Sequence, residues 1–239
     1  KDKTVKLFSF SFSIGLYVLA HAAVAATPMG TYYQVAVTDP PSLISALDKY
    51  TESPTGQKNP AQITLWQIMS NGTNPATHAI SVAFASAEDM DKSRALNQGS
   101  EDLRQMQASM ASVMTPVSES MFRDIGITAG SSEAITAEFP VGRFILLDVK
   151  DPAAYVVAWE KMMATRDSDL PSSLSQIVGA GPADTTHVVG IYANNMTELM
   201  ALMDANIDNP DWTEFLTNVD GIRTVEEDSI VVRIKSWGN

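Results

Sequence analysis

The chain has 239 residues, with 16 Lys and Arg residues against 28 Asp and Glu residues, no Cys and 45% hydrophobic residues. Its net charge of −12 excludes a basic nucleic-acid-binding surface, because binding to phosphates requires clustered Lys and Arg. The hydrophobic fraction excludes a disordered chain, and the lack of cysteine excludes disulfide frameworks, thiolate metal sites and cysteine nucleophiles.

The N-terminal segment has the charge and hydropathy order of a secretory signal peptide. Three lysines precede an apolar stretch at 7–20, and the small residues Ala23-Val24-Ala25 follow. A membrane anchor is the alternative, but a spanning helix needs about 20 apolar residues, and serines interrupt this shorter stretch. We therefore expect cleavage after Ala25, a signal peptide at 1–25 and an acidic mature protein. Export without cysteine is more typical of a bacterial periplasm or exterior than of the disulfide-rich eukaryotic route.

Residues 26–126 are predicted to form a first α+β unit. Asp39-Pro40-Pro41 has the pattern of a helix start, and Gln98-Gly99-Ser100 interrupts a later helical stretch. The predicted elements are a strand at 32–37, a helix at 42–50, strands at 63–70 and 78–85, helical sequence at 87–114 and a strand at 118–125.

A linker rich in Gly, Ser, Thr and Ala is predicted at 127–139, and a second α+β unit at 140–239. The predicted elements of this unit are a strand at 143–149, a helix at 152–164, strands at 174–179 and 187–193, helices at 196–207 and 210–219, and a strand at 229–235.

The two units are copies of one pattern. Three matched segments follow one another in the same order in both copies. They pair 37–40 with 149–152 at an offset of 112 residues, and 67–78 with 176–187 and 115–125 with 224–234 at an offset of 109. We interpret the chain as a tandem duplication.

Each copy has the strand–helix–strand–strand–helix–strand order of a ferredoxin-like unit, an antiparallel four-stranded sheet with helices on one face. The strand segment Phe144-Ile145-Leu146-Leu147 is apolar at both alternating positions, so neither face of the sheet is expected to be solvated. The other sheet is already tethered through the linker. We therefore expect the two open faces to enclose a core or a cavity, and the chain to be a monomer.

This tandem arrangement resembles the dimeric α+β barrel superfamily, which includes antibiotic-biosynthesis-type monooxygenases. The segment 209–216, which reads NPDWTEFL, and the terminal strand after it are similar to the last helix and strand of such domains. The resemblance covers about residues 30–239. It implies two tandem ferredoxin-like units packed sheet to sheet as an intrachain dimeric α+β barrel. It also implies a cavity for a small, often aromatic or tetrapyrrole, ligand.

Two pairs of polar residues recur in the two copies. His78 and His187 each open a predicted strand, and histidine is a ready general base near neutral pH. The alternative, which we favour, is that each imidazole packs against its own turn and donates one hydrogen bond. Gln67 and Gln176 lie within apolar strands and could orient a ligand or face solvent. Haem-degrading relatives carry their ligand histidine on a helix, so the resemblance does not imply haem cleavage here.

Four further residues are candidates for the lining of a ligand cavity. Trp66, Tyr33, Arg143 and Tyr192 lie in or beside predicted strands and could contact an aromatic ligand. Core packing is the alternative for Trp66, which lies between Leu65 and Ile68.

The sequence leaves three functions open. The first is an exported protein that binds a small apolar or aromatic molecule, and the second is a cofactor-independent monooxygenase-like or isomerase-like enzyme with His78 or His187 as base. The third is a structural or protein-interaction module with a filled core. No cofactor, metal, nucleic acid or membrane partner is predicted for the mature protein. The phosphate-binding and dinucleotide motifs are missing, and the two histidines that remain after cleavage, His78 and His187, cannot form a three-histidine site.

Overall fold

The computed structural model of the chain describes residues 27–129, 139–166, 168, 170–179 and 184–238. The predicted signal peptide at 1–25 lies outside the described residues, as does most of the predicted linker, at 130–138.

The first half of the described chain contains four strands and three α-helices. They are β1 (Met29–Val37), α1 (Pro40–Thr51), a 3-10 turn (Gly56–Lys58), β2 (Gln62–Ser70), β3 (His78–Phe84), α2 (Ala87–Asn97), α3 (Glu101–Ala111) and β4 (Met114–Ala129). The second half repeats this succession. Its elements are β5 (Val141–Val149), α4 (Pro152–Thr165), β6 (Ser172–Ile177), β7 (His187–Ala193), α5 (Met196–Ile207), α6 (Pro210–Val219) and β8 (Arg223–Trp237).

The helix boundaries follow from local chemistry. The Asp39 carboxylate accepts a hydrogen bond from the Ser42 backbone N–H at 3.2 Å, so it caps α1, while Pro40 occupies the first turn. Gly99 has a φ of +76°, in the left-handed region that glycine tolerates, and it separates α2 from α3 as predicted. Asn195 caps α5 through a 2.9 Å bond from the Glu198 backbone N–H.

The eight strands form one closed antiparallel barrel in the order β1-β3-β2-β8-β5-β7-β6-β4, so the fold is of the α+β class. Within each half the strand order is the same, β4-β1-β3-β2 and β8-β5-β7-β6. Both β4 and β8 are long because each pairs with one strand along its first part and with a different strand along its last part. The first part of β4 pairs with β1 and its last part with β6, while β8 pairs first with β5 and then with β2.

The sequence predicted that the two sheets meet only through their open faces. In the structure the edges of the two sheets are also joined. Hydrogen-bonded edges join β2 to β8 and β4 to β6, because an open sheet edge leaves unpaired backbone N–H and C=O groups that the long strands satisfy. Strand β4 also continues to Ala129, so the first residues of the predicted linker belong to a strand. The barrel closes around an interior that both halves share.

The helices cover the outside of the barrel. Leu43 and Leu47 of α1 pack on Leu65 of β2 in one buried cluster. Tyr155 of α4 and Leu147 of β5 belong to the corresponding cluster of the second half. Since alternate strand residues point to opposite faces, the positions between these buried residues face the barrel interior.

One contact ties the last strand back to the first helix. The Asp48 carboxylate of α1 accepts hydrogen bonds from Lys235 Nζ and Trp237 Nε1, both at 2.5 Å. This contact fixes the end of β8 against the first half.

Candidate functional site

The barrel interior contains a cavity of about 460 Å³. Its walls are inward-facing residues that recur at every second position of the strands, as in Tyr32 and Gln34 of β1 or Gly190 and Tyr192 of β7. A Cβ on Gly190 would lie 2.9 Å from Ser173 Oγ and 3.0 Å from Tyr192 Oη. A side chain at this position would therefore displace the Tyr192 ring from the wall.

The two halves supply equivalent positions to this wall, but with different side chains. At the sequence offsets of 109 and 112 residues, the lining residues fall into matched pairs. These pairs are Tyr32 and Phe144, Gln34 and Leu146, Thr64 and Ser173, Trp66 and Ser175, Ser81 and Gly190, Ala83 and Tyr192, Ser120 and Ser229, and Asp124 and Arg233. The backbone register agrees, since Tyr32 is opposite Ser120 and Phe144 is opposite Ser229. The cavity is therefore chemically asymmetric although its frame is repeated.

Four aromatic rings form one cluster on the cavity wall. Phe144 lies at its centre, in edge-to-face contact with Tyr32, Trp66 and Tyr192 at ring-centroid distances of 5.5, 5.9 and 5.7 Å. The Trp66 indole N–H donates to Ser81 Oγ at 3.1 Å, which fixes the ring. Such a wall is suited to a flat, apolar molecule.

A polar network lies where β1 ends and β3 begins. Gln34 is 1% exposed; its side-chain N–H donates to Glu227, and its Oε1 accepts from Ser118 Oγ at 2.7 Å. Asn74, from the loop between β2 and β3, donates to Gln34 Oε1 at 2.9 Å and to Glu227 Oε2 at 2.8 Å. Both oxygens of the Glu227 carboxylate thus accept a bond from a neutral amide. In the described part of the chain no Lys or Arg forms an ion pair with Glu227.

Two tyrosines of the cavity wall are held in the protonated form. Burial raises the pKa of Tyr32 well above its ordinary value of 10.0, and the nearby carboxylate of Glu227 raises it further. Burial raises the pKa of Tyr192 to about 12. The Tyr32 hydroxyl is enclosed and has no hydrogen-bond partner among the residues that the structure describes. Each hydroxyl is therefore a donor and not an anion at neutral pH.

The histidines do not face this cavity. His78 and His187 are 6% and 4% exposed, and neither belongs to the cavity lining. Each is adjacent in sequence to an inward-facing residue, so its ring lies on the helix-covered side, where Nδ1 is 2.9 Å from the hydroxyl oxygen of the preceding threonine. The His187 ring lies 6.4 Å from that of Tyr155 in α4. Burial lowers the pKa of both imidazoles. Because both rings lie outside the cavity, neither can act as a base on a molecule inside the barrel.

Gln67, Gln176 and Tyr33 also lie away from the cavity. Gln67 is exposed, and Gln176 accepts a 2.7 Å bond from Arg123 on the outer surface. Tyr33 packs against the cluster beneath the first helices. The cause is the same for all three, because each is one position out of phase with the inward-facing residues of its strand.

Arg143 forms a surface ion pair with Asp228, with Nε–Oδ1 and Nη2–Oδ2 distances of 2.8 and 2.5 Å. It does not line the cavity. Of the predicted lining residues, only Trp66 and Tyr192 do so.

The prediction missed Tyr32, Phe144, Gln34 and Glu227, although the sequence contains a signal for each. Tyr33, Val35 and Val37 form an apolar alternation that marks the helix-covered face of β1, so Tyr32 and Gln34 must point inward. The offset of 112 then assigns Phe144 to the interior. Glu227 lies in an acidic run that is typical of a solvated turn. In the structure β8 begins at Arg223, so Glu227 belongs to the strand and faces inward.

The described residues include no group of three or more His, Asp or Glu side chains that could hold a metal ion. The same residues include no helix of the length and hydropathy needed to cross a membrane.

No protein-family model and no curated protein sequence matches the chain. Solved structures do match. A proposed monooxygenase from Fusobacterium nucleatum subsp. nucleatum superimposes with a TM-score of 0.61 at 9% identity, over 90% of this chain and 95% of that one. A proposed monooxygenase from Lactobacillus acidophilus NCFM gives 0.55 at 15% identity, over 89% and 96% of the two chains. An anthrone oxidase-like protein gives 0.57 at 10% identity, over 88% and 92%.

The chain has the dimeric α+β barrel fold. The resemblance predicted from the sequence is therefore confirmed at the level of the fold. At these identities the likeness shows the fold alone, and the function has to be argued from the cavity.

Proposed function

We propose that the chain is an exported protein that binds one small, mainly apolar molecule inside its barrel. The observation that carries this proposal is the cavity of about 460 Å³ with its four-ring aromatic wall. This volume falls in the usual range of ligand pockets, about 300–1,000 Å³. The alternative of a structural module requires an interior filled by side chains, as in small closed barrels. A cavity of this size argues against that alternative.

The repeated strand order and the matched lining positions support an origin in two tandem ferredoxin-like units. We assign these units to residues 26–126 and 140–239. The last strand of the first unit, β4, continues to Ala129, and the linker follows it. Every strand of the described chain has two neighbours, so no sheet edge is left for a second copy, which favours a monomer. Light scattering during size-exclusion chromatography should give the mass of one chain at micromolar concentration.

Export rests on the basic, apolar and small-residue order of segment 1–25. We expect the mature protein in the periplasm or outside the cell, with Ala26 as its first residue. N-terminal sequencing of the protein from each cell fraction tests this. An uncleaved chain in the cytoplasmic fraction would overturn it.

A second candidate function is a cofactor-independent oxygenase. The carboxylate of Glu227, held in the cavity wall beside Tyr32, is the observation that favours it, because such chemistry needs a base at the substrate. Two structural neighbours are described as proposed monooxygenases and one as anthrone oxidase-like, which suggests anthrone as a first trial substrate. Anthraquinone formation from anthrone and oxygen should then exceed the uncatalysed rate and fall in the Glu227→Gln variant.

The binding function is tested by titration with N-phenyl-1-naphthylamine, a neutral aromatic compound whose fluorescence rises in apolar surroundings. We expect a saturable signal with one site per chain. Ser175→Phe places a ring inside the cavity at the position where the other half carries Trp66, so the fold is expected to tolerate it while binding is lost. Gln176→Phe adds the same ring to the outer face of the same strand and is the matched control. Equal binding by both variants, or none by the native chain, would overturn the proposal.

A further inference from the structure

One carboxylate in the cavity wall has no opposite charge beside it. Glu227 lines the cavity and is partly exposed, and its two oxygens accept hydrogen bonds from the neutral amides of Gln34 and Asn74. No Lys or Arg of the described chain forms an ion pair with it. A carboxylate offers about four acceptor sites, so acceptor capacity remains on this side chain. Because a charge away from bulk water is stabilised by an opposite charge, Glu227 is suited to a ligand that supplies one.

The charges of the cavity wall are unequally divided between the two halves. Among the described lining residues, three are charged, namely Asp124, Arg233 and Glu227, so the wall has one negative charge in excess. Asp124 and Arg233 occupy equivalent positions and have opposite signs, whereas the equivalent of Glu227 is the neutral Ser118. Arg233 is six positions beyond Glu227 along β8, roughly 20 Å away at the rise of a strand, and does not neutralise it. The net charge of −12 on the whole chain also attracts cations.

The aromatic cluster lies beside this carboxylate. In the pairing of β5 with β8, Phe144 is opposite Ser229, which lies two positions after Glu227 on the same face of the strand. Phe144 and Glu227 are therefore diagonal neighbours, and such neighbours are about 7–8 Å apart. A ring system attached to a group at Glu227 therefore reaches Phe144 and the rings around it. Aromatic faces also attract cations.

We propose that Glu227 anchors an ammonium group of the ligand. This inference rests on the proposed binding function and names the chemical class of the ligand, an apolar ring system that carries one amine, protonated at neutral pH. The ammonium group donates to the Glu227 carboxylate, while the rings lie against Phe144 and Trp66. An ammonium group has three donors and a positive charge, so it uses the remaining acceptor sites and balances the charge of the wall.

Other polar groups fit this position less well. A hydroxyl can donate one hydrogen bond to Glu227 but leaves its charge unbalanced, and a ligand carboxylate is repelled. The side chains around Glu227 are already ordered for the ammonium group. The Oε1 atom of Gln34 accepts bonds from Ser118 and Asn74, which leaves the amide N–H of Gln34 to donate to Glu227. The carboxylate is thus held in place before the ligand binds, and little ordering is needed.

Three naphthalene probes that differ in charge test the site. The compounds are 2-naphthylmethylamine, 2-naphthol and 2-naphthoate, which at pH 7 are cationic, neutral and anionic. Each is titrated by isothermal calorimetry into the full chain in about 150 mM salt, which screens attraction to the acidic outer surface. We expect the amine to bind at least about tenfold more tightly than 2-naphthol, with one site per chain, and 2-naphthoate to bind most weakly.

Three variants locate the amine. Glu227→Gln should lower the affinity for the amine to that for 2-naphthol, and continued binding of 2-naphthol shows that the cavity is intact. Glu226→Gln is the matched control, because it removes the same charge from the adjacent exposed residue, which does not line the cavity, and it should keep the preference. Ser175→Phe, which places a ring inside the cavity, should abolish binding of both probes. Thermal melts check that each variant is folded.

Equal binding of the amine and 2-naphthol by the native chain would overturn the ammonium site and leave the binding function standing. A preference for the amine that persists in Glu227→Gln would overturn the assignment to this residue. Undiminished binding of the amine by Ser175→Phe would show that it binds on the outer surface and would also overturn the site. No binding of any probe would overturn both the site and the binding function.

Discussion

Removal of the Tyr32 hydroxyl should stabilise the protein. The hydroxyl has lost its water and gained no partner within the described chain, and burial together with Glu227 raises the pKa of the phenol, so it remains an uncharged, unpaired donor. Tyr32→Phe removes this oxygen and keeps the ring at 5.5 Å from Phe144. The other half already carries phenylalanine at the equivalent position. An unpaired buried polar group costs about 1–3 kcal/mol, and we expect about 1 kcal/mol to be recovered after local relaxation.

The free energy of unfolding is measured by urea denaturation without ligand, followed by fluorescence and circular dichroism. For a chain of this size, a gain of about 1 kcal/mol raises Tm by roughly 2–4 °C. Tyr33→Phe is the control, since Tyr33 packs on the helix-covered face, and it should give no gain. A Tyr32→Phe variant that is less stable than the native chain would show that the hydroxyl is paired and would refute the reasoning.

The further predictions concern residues outside the cavity. Asp48→Ala should lower the free energy of unfolding by about 1–2 kcal/mol in urea titrations, because the buried Trp237 indole N–H loses its acceptor. The Lys235 and Trp237 donors hold the pKa of the Asp48 carboxyl below its ordinary value of 3.8, so its contribution to stability is present above that pH and should be lost as pH falls through the lower folded pKa. His78→Asn and His187→Asn should leave binding of N-phenyl-1-naphthylamine unchanged, and weaker binding would return the histidines to the site. Burial lowers the pKa of both imidazoles below 6.5, so the unfolded chain takes up protons before the folded chain does as pH falls. The free energy of unfolding should therefore fall as pH drops below 6.5. The two asparagine variants should show a smaller fall.

The helices and their limits could be predicted because their signals are local. The predicted helices at 196–207 and 210–219 match α5 and α6, since Asn195 and Asn209 are strong caps and proline opens α6. Gly99 marks the break between α2 and α3, because glycine tolerates the positive φ at this position. The repeated order of the matched segments was also visible in the sequence, because the offsets of 109 and 112 residues can be read without knowledge of the fold.

The site was harder to predict because it depends on strand phase and strand pairing. A shift of one residue exchanges the two faces of a strand, which is why Tyr33 was chosen in place of Tyr32. The second pairing of β4 with β6 and of β8 with β2 is a long-range event, and nothing local to Glu227 shows that β8 begins before it. The recurrence of His78 and His187 reflects a repeated turn in which each ring contacts the preceding threonine.

A crystal structure of the protein grown with 2-naphthol tests the central claim most directly. We predict one molecule per chain inside the barrel, with its rings against Trp66 and Phe144. Density for the compound only on the outer surface, or a barrel interior closed by rearranged side chains, would contradict the claim.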